Sequence, residues 1–288
     1  MGIKGKMTQS IDSLFWQLLK SAFVLYLLII GAVYFFQRKL QYFPNPHPVS
    51  LPQEQKFRGL KNITLVTKDK VIVFGWYWPG SIPVTIVFFH GNAGHRGHRL
   101  NWIQRFHEYG YGIFILDYRG YGGSKGTPTE NGLYQDSQTA LNWLKSHTDH
   151  PLVYLGESLG SSVAVEMATR TPPKAIIIQS GFPSAVEVAR EHYPFLPVSL
   201  LMKDTYLTQH KISGVTCPIL CIHGGLDTVV PVELGRSLYD SAPEPKQWLL
   251  IPKAKHNDVI QVGADTYFKS VGMFLERFVL KGADQCND

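Results

Sequence analysis

Cysteine is scarce in this chain, with three residues among 288: Cys217, Cys221 and Cys286. Cys217 and Cys221 fall at the start of and within one expected strand. Four residues along a strand span roughly 13 Å, which is too far for a disulfide bond. No pair spacing matches a zinc ligand set either. The cysteines therefore predict neither a disulfide framework nor a zinc site.

The chain also lacks any low-complexity run, and its net charge is a modest +6. An ordinary apolar fraction predicts a packed core, and this length fits an α/β domain. Part of the positive charge comes from residues that flank or interrupt an N-terminal apolar segment: Lys4, Lys6, Lys20, Arg38 and Lys39. Since no basic stripe interleaved with aromatic residues appears elsewhere, no nucleic-acid partner is expected.

One long apolar run is present near the N-terminus. Ser21 to Phe36 carries no charge, and the preceding residues 11–19 are mostly apolar. About twenty residues span a bilayer, a length that is reached if Lys20 snorkels to the interface. No A-x-A-like cleavage site follows the run, which favours an uncleaved single-pass anchor at about 14–36 over a cleavable signal peptide. Because basic residues flank both ends, the side of the membrane that holds the rest of the chain stays open.

The remainder predicts three regions: an N-terminal segment 1–43, a stiff proline-rich spacer 44–58 and a domain 59–282. In that domain β-rich runs alternate with helical patterns. Strands are expected at 63–67, 71–78, 84–89, 113–117, 152–155, 175–179, 219–223 and 247–251, and helices near 96–109, 130–146, 161–170, 232–239 and 267–280. This alternation predicts a mostly parallel sheet of about eight strands with helices on both faces. Ligands of such sheets gather beyond the carboxyl ends of the strands.

The stretch 156–160, Gly-Glu-Ser-Leu-Gly, lies between an expected strand and an expected helix. A G-x-S-x-G motif in this context is typical of a nucleophilic serine on a sharp turn, here Ser158. Side chains in place of its glycines would collide with the neighbouring strand and helix. The competing interpretation is a glycine-rich connection with a passive serine.

A serine hydroxyl needs an adjacent base, and the base needs an orienting acid. In α/β proteins with this motif the chain order is serine, acid, histidine. Downstream of Ser158, Asp227 follows one expected strand and His256 follows the last. These three residues form the candidate triad.

Other titratable residues also follow strands. His90 and His223 each precede a glycine, so we interpret them as fixing their loops. Four basic residues at the start of the first domain helix are expected to form a solvated face: His95, Arg96, His98 and Arg99. Contact with an anionic substrate is the alternative.

Three acids compete for roles near the site. Asp258 lies two residues from His256, which is too local to support the imidazole from behind. Asp117 is expected to hold the loop 118–119. Glu157 is interpreted as a structural partner beside Ser158.

Five motifs occur in order along residues 55–280: HGNAG at 90–94, DYRGYG at 117–122, GESLG at 156–160, HGGLD at 223–227 and HND at 256–258. Together they resemble the α/β-hydrolase superfamily, and most closely the Bem46-like serine hydrolases. Members of that group often carry an N-terminal membrane anchor. The resemblance implies the α/β-hydrolase fold and a reaction that needs no metal or organic cofactor.

The resemblance also implies roles for individual residues. Ser158 would be the nucleophile, His256 the general base and then acid, and Asp227 the group that holds the imidazole. The backbone N–H groups of Asn92 and Leu159 would form the oxyanion hole.

The region 182–214 is apolar, punctuated by proline and too long for a plain crossover. Two interpretations stay open: one helix plus a loop packed on the core, or a small lid lining an acyl pocket over Ser158. Neither leaves room for a large cap domain, so a compact open site is expected.

The expected function is a membrane-anchored serine hydrolase that cleaves an ester or thioester, of a lipid-like or acyl-protein substrate, through an acyl-enzyme. A serine peptidase of the aminopeptidase type is one alternative. A non-catalytic binding module with the same fold is the other.

Overall fold

The computed structural model describes residues 2–281, and side chains from Leu14 onward. Cys286 and the last residue of the expected domain, 282, lie outside the described residues, as do the side chains of Lys4 and Lys6. Cys217 and Cys221 are buried free thiols, as the spacing predicted.

Residues 2–281 contain ten strands: β1 (Phe43–Pro44), β2 (Lys61–Val66), β3 (Ile72–Trp78), β4 (Thr85–Phe89), β5 (Ala93–Gly94), β6 (Gly112–Asp117), β7 (Leu152–Glu157), β8 (Ala175–Gln179), β9 (Ile219–Gly224) and β10 (Lys246–Ile251). Eight of them form one sheet in the order β10-β9-β8-β7-β4-β6-β3-β2. From β10 to β6 all neighbours are parallel, whereas β3 runs antiparallel to β6 and β2 antiparallel to β3. The expected mostly parallel sheet of about eight strands is confirmed.

The helices are α1 (Gly2–Gln41), α2 (Leu100–Glu108), α3 (Glu130–Lys145), α4 (Leu159–Arg170), α5 (Ala185–His192), α6 (Val198–Leu201), α7 (Thr208–Ile212), α8 (Val232–Asp240) and α9 (Val259–Leu275). A 3-10 turn, Arg96–Arg99, precedes α2, and a π-helical turn, Glu276–Leu280, follows α9. The last helix begins eight residues before its predicted start at 267, because Val259 and Ile260 already pack in the core. Polar residues and Gly263 between them and Tyr267 hide this turn from the hydrophobic pattern.

The core has two layers, one on each face of the sheet. Alternate residues of β4 divide between them: Val87 and Phe89 pack with α3 and α4, whereas Ile86 and Phe88 pack with α2 and α9. Period-2 alternation of side chains along a strand produces this division. Both faces of the sheet are therefore covered, and its carboxyl edge is left for loops.

Helix α1 stands apart from these layers. Its portion Leu14–Gln41 has a mean hydropathy of 2.1 over the most apolar window, and none of that window is buried within the protein. The chain then returns to the domain, where β1 pairs in parallel with β5, placing Phe43 opposite Ala93.

The connection between β8 and β9 contains three short helices, α5, α6 and α7. It thus has more helical pieces than the single helix and loop that one interpretation expected. Residues 182–214 are called the β8–β9 connection below.

Candidate active site

Ser158 lies at the sharp turn between β7 and α4, with φ of 52° and ψ of −119°. This is a left-handed backbone conformation that a residue with a side chain adopts only where its surroundings enforce it. Both flanking glycines explain the enforcement. A Cβ on Gly156 would lie 2.5 Å from Cα of Ser161, and one on Gly160 would overlap the carbonyl oxygen of Phe89 in β4.

The structure brings the three candidate triad residues together. Nε2 of His256 lies 2.9 Å from Oγ of Ser158, and Nδ1 of His256 lies 2.7 Å from Oδ2 of Asp227. Because the carboxylate can only accept, the Nδ1–H donates to it and Nε2 is left to accept the serine proton. Ser158 and Asp227 are buried, and the His256 side chain is 10% exposed.

Groups other than His256 also bind the Asp227 carboxylate. Its Oδ1 accepts hydrogen bonds from the amides of Val229 at 2.9 Å and Val230 at 2.8 Å. Nε2 of His223 lies 3.4 Å from Oδ2 and 2.9 Å from the Val230 carbonyl oxygen. Burial acts to raise the pKa of Asp227, but the hydrogen bonds from His223 and His256 outweigh it and hold this pKa below its ordinary value. The carboxylate is therefore ionised wherever the protein is folded near neutral pH.

His223 contacts the site, and this contact was not predicted from the sequence. It fixes its loop through Val230, as expected, and it also contacts Asp227, the acid of the candidate triad. Its position four residues before Asp227 on the same strand-to-loop junction is the signal that could have suggested this contact.

The two candidate oxyanion-hole residues lie on the loops that follow β4 and β7. Among the described residues, neither the amide of Asn92 nor that of Leu159 has a hydrogen-bond acceptor. The carbonyl of Asn92 is fixed from behind, accepting from the Phe43 amide at 2.9 Å and from the Tyr121 hydroxyl at 2.8 Å. The Asn92 side chain donates to the Gln41 carbonyl at 3.0 Å. Asn92, the residue that carries this amide, is thus clamped by Tyr121 and by the segment leaving α1.

Arg96 and Arg99 do not form the solvated face that was expected. Both are buried, and Arg99 binds Glu157 with Nε–Oε2 at 3.0 Å and Nη2–Oε1 at 3.2 Å. Arg99 also donates to the Ala93 carbonyl at 2.7 Å. The ion pair therefore joins the loop after β4 to the residue before Ser158, which confirms Glu157 as a structural partner.

Asp117 has a different partner from the one predicted. Its carboxylate accepts from the amide of Arg96 at 2.6 Å and binds the Arg96 guanidinium, whereas Arg119 is held by Asp136 and Asp69. The expectation that Asp117 holds loop 118–119 through its side chain is wrong. A buried carboxylate at a strand end requires a cation, and Arg96 and Arg99, shortly after the motif at 90–94, were candidates for that role.

The remaining rivals have structural contacts. Burial lowers the pKa of His90 to about 3, and this neutral ring contacts the Gly91 carbonyl at 2.7 Å. Asp258 accepts from the Lys255 amide at 2.6 Å and so shapes the turn before His256.

Burial raises the pKa of Cys217 and of Cys221 to about 12, so neither is a nucleophile near neutral pH. Within the described part of the chain no group of three or more metal-ligating side chains is gathered.

Two family profiles match segments of the chain. One, described as serine aminopeptidase S33, matches residues 81–201, and the other, described as serine hydrolase FSH1, matches residues 151–256.

Three relatives extend the likeness to most of the chain. An uncharacterised protein of Mycobacterium tuberculosis, Rv2307c, is 36% identical over 88% of this chain and 92% of its own. Protein bem46 of Schizosaccharomyces pombe is 31% identical over 93% of this chain and 97% of its own. The lysophosphatidylserine lipase ABHD12 of Danio rerio is 35% identical over 59% of this chain and 51% of its own.

Among solved structures, the Pyrococcus furiosus esterase Pf2001 superimposes with a TM-score of 0.71. The alignment covers 83% of this chain and 97% of that one, at 19% identity. This likeness shows the fold. The match to bem46 extends over nearly the full length of both chains, and the fold and the strained serine turn agree with it. This chain therefore belongs to the Bem46-like serine hydrolases of the α/β-hydrolase superfamily.

Proposed function

We propose that this enzyme is a membrane-anchored hydrolase of lipid-like carboxylic esters, with Ser158, His256 and Asp227 as its catalytic triad. The observation that carries the proposal is the continuous hydrogen-bonded path from Oγ of Ser158 through His256 to Asp227. A neutral imidazole with Nε2 on the hydroxyl and Nδ1–H on a carboxylate is the arrangement that activates a serine.

In the proposed reaction Oγ of Ser158 attacks the substrate carbonyl carbon while its proton passes to Nε2 of His256. The tetrahedral intermediate then collapses, and His256 returns that proton to the leaving alcohol. Water repeats the sequence on the acyl-enzyme, with His256 as base and then acid, and releases the carboxylic acid. The ionised Asp227 stabilises the imidazolium that forms in each half-reaction.

The unpartnered amides of Asn92 and Leu159 would bind the oxyanion of both intermediates. Such a donor typically contributes about 3 kcal/mol to transition-state stabilisation. The positive end of α4 adds to the same position, because Leu159 is its first residue.

Three observations support a lipid-like acyl substrate. The zebrafish relative is named a lysophosphatidylserine lipase. Helix α1 is long and apolar enough to cross a bilayer, which supports a single-pass anchor within segment 1–43, followed by the spacer 44–58 and the domain 59–282. Finally, the β8–β9 connection exposes large apolar side chains, among them Phe195 and Leu200, which supports its assignment as a small lid. Thioesters, including those of acylated proteins, would follow the same chemistry.

A peptidase is the second candidate, supported by the serine aminopeptidase profile. An aminopeptidase binds the substrate ammonium group with a free carboxylate. Glu157, the acid that adjoins Ser158, is already neutralised by Arg99, so it does not offer this charge. This favours esters over aminoacyl amides that carry a free α-amino group.

A panel of substrates tests the proposal. Full-length enzyme is assayed on p-nitrophenyl esters of graded chain length, on the matching thioesters, on lysophospholipids and on aminoacyl amides. We expect turnover of long-chain esters or lysophospholipids, lost in Ser158→Ala. Faster cleavage of aminoacyl amides than of every ester would favour the peptidase, and no turnover of any substrate would contradict the proposal.

A further inference from the structure

The β8–β9 connection packs along the apolar helix α1. The hydroxyl of Tyr26 donates to the Phe195 carbonyl at 2.8 Å. Further along α1, Nε2 of Gln37 donates to the Leu201 carbonyl at 2.8 Å, and Oε1 of Gln37 accepts from the Lys203 amide at 2.6 Å. The connection therefore follows one face of α1 from Gln37 to Tyr26.

A polar layer marks one end of this contact. Arg38 binds Asp204 with Nε–Oδ2 at 2.9 Å, and Nζ of Lys203 lies 4.1 Å from the centre of the Tyr34 ring. Basic and aromatic side chains at the end of an apolar helix are typical of the membrane–water interface. We therefore place the interface at Arg38 and Lys203.

The other end of the contact lies deep in the apolar part of α1. Tyr26 precedes Arg38 by twelve residues in an unbroken helix, so it lies about 18 Å along the axis. The hydrocarbon core of a bilayer is about 30 Å thick. Since residues 21–37 of α1 carry no charge, Phe195 lies at a level that only hydrocarbon would surround if α1 spans the membrane.

The surface of the connection at this level is suited to hydrocarbon. Its side chains there are apolar and exposed: Tyr193 is 51%, Phe195 65% and Leu200 82% exposed. Non-helical backbone survives at membrane depth only where its polar groups are bonded within the protein.

The backbone of this stretch meets that requirement to a large extent. Pro194 and Pro197 have no N–H to satisfy. The amides of Leu196, Val198 and Leu200 each donate to a carbonyl within the stretch, at 2.8–3.0 Å. The carbonyls of Phe195 and Leu201 accept from α1 side chains.

We infer that residues 193–201 are embedded in the lipid leaflet beside α1. This inference rests on the proposed anchor, and it assigns the exposed apolar surface of the connection to a single partner, the acyl chains of the bilayer. The anchor and this second contact would together fix the orientation of the domain on the membrane.

The test measures depth and requires no catalysis. In a Cys286→Ser background, with Cys217 and Cys221 buried, single cysteines replace Leu200, Phe23 or Lys68 and carry a nitroxide spin label. Phe23 is an exposed residue of α1 and reports on the anchor, and Lys68 is an exposed residue of the β2–β3 turn and reports on water. The full-length protein is reconstituted into phosphatidylcholine–phosphatidylglycerol vesicles. Collisions with apolar oxygen and with a polar nickel chelate are then compared.

We expect labels at Leu200 and Phe23 to have oxygen-to-nickel collision ratios roughly threefold or more above that at Lys68, because the polar chelate is excluded from hydrocarbon. A lipid-exposed Phe23 label with a water-exposed Leu200 label would overturn the inference and leave the anchor standing. A water-exposed Phe23 label would overturn both. A Leu200 label shielded from both reagents would indicate a protein contact, such as a second copy, and would also overturn the inference.

Discussion

The carboxyl edge of the sheet and the β8–β9 connection are built by different means. At the edge, Ser158 is fixed by backbone packing, with Gly156 and Gly160 in contact with neighbouring elements. The connection is instead attached to α1 through side chains such as Tyr26 and Gln37, and it leaves large apolar groups exposed. On the proposed function, the edge would perform the chemistry and the connection would contact the membrane. Variants of the two regions should therefore fail on different substrates.

The largest effect is expected from the loss of His256, the proposed general base at the carboxyl edge of the sheet. His256→Ala should lower kcat on soluble and membrane-resident esters alike, by a factor on the order of thousands or more. His147→Ala, which removes an exposed histidine two residues beyond α3, is the control and should retain activity. Steady-state kinetics on a short p-nitrophenyl ester provides the measurement. Unchanged turnover in His256→Ala would refute its assigned role.

Rigidity of the edge can be tested with a pair of glycines. In Gly160→Ala the new methyl group overlaps the Phe89 carbonyl, so the free energy of unfolding should fall by about 1–3 kcal/mol or more, with loss of activity. Gly272→Ala, in α9, has nothing within 4 Å and should raise this free energy by about 0.5–1 kcal/mol. Urea unfolding of both variants measures the contrast. Equal stability would mean that the turn is not constrained as described.

The connection should respond only where the substrate lies in a membrane. Leu200→Glu places a charge on the surface assigned to the leaflet and should lower turnover of a vesicle-resident ester about tenfold, since charges are costly in hydrocarbon. Turnover of a soluble short-chain ester should not change. Val66→Glu, at an exposed site on β2, serves as the matched control for added charge. Equal losses on both substrates in Leu200→Glu would remove the proposed separation of roles.

A smaller effect is expected from the clamp behind Asn92. Tyr121→Phe removes one hydrogen bond to the Asn92 carbonyl, worth about 1 kcal/mol, and should lower kcat roughly fivefold. Tyr154→Phe removes a bond of the same kind and length, from its hydroxyl to the Thr171 carbonyl at 2.8 Å. Both variants should lose similar stability in thermal unfolding. A fall in kcat in both, or in neither, would mean that the clamp does not position the oxyanion hole.

The smallest effect concerns pH. The pKa of Asp227 is held below its ordinary value in the folded state, so its carboxylate contributes stability above about pH 4, the ordinary aspartate range. That contribution is lost as the pH falls toward the lowered folded-state pKa. The difference in Tm between wild type and Asp227→Asn should therefore be larger at pH 7 than at pH 3. A difference that grows on acidification would reverse the assigned sign.

Which residues meet at the carboxyl edge was easier to predict from the sequence than what the β8–β9 connection contacts, for a physical reason. Parallel strands end at the same edge of a sheet, so the motifs after β7, β9 and β10 had to approach one another wherever the loops allowed. Side-chain direction in the 3-10 turn that carries Arg96 and Arg99 depends on packing that no local pattern records. Their charge suggested a solvated surface, whereas buried carboxylates on Asp117 and Glu157 draw both inward.

The contact between α1 and the connection was out of reach of sequence patterns because its partners lie far apart in the chain. Tyr26 and Phe195 are 169 residues apart, and Gln37 and Leu201 are 164 apart. A tyrosine and a glutamine within an apolar helix are the only local hints. Both of these hydrogen bonds are made to the backbone of the connection, so no side chain of the connection complements Tyr26 or Gln37.

Covalent labelling tests the central claim most directly. Full-length enzyme in detergent is treated with a fluorophosphonate, digested with trypsin and analysed by tandem mass spectrometry. We predict a single adduct in the peptide 146–170, on the oxygen of Ser158, absent from Ser158→Ala and strongly reduced in His256→Ala. An adduct on another serine of that peptide, or elsewhere in the chain with Ser158 unlabelled, would contradict the account.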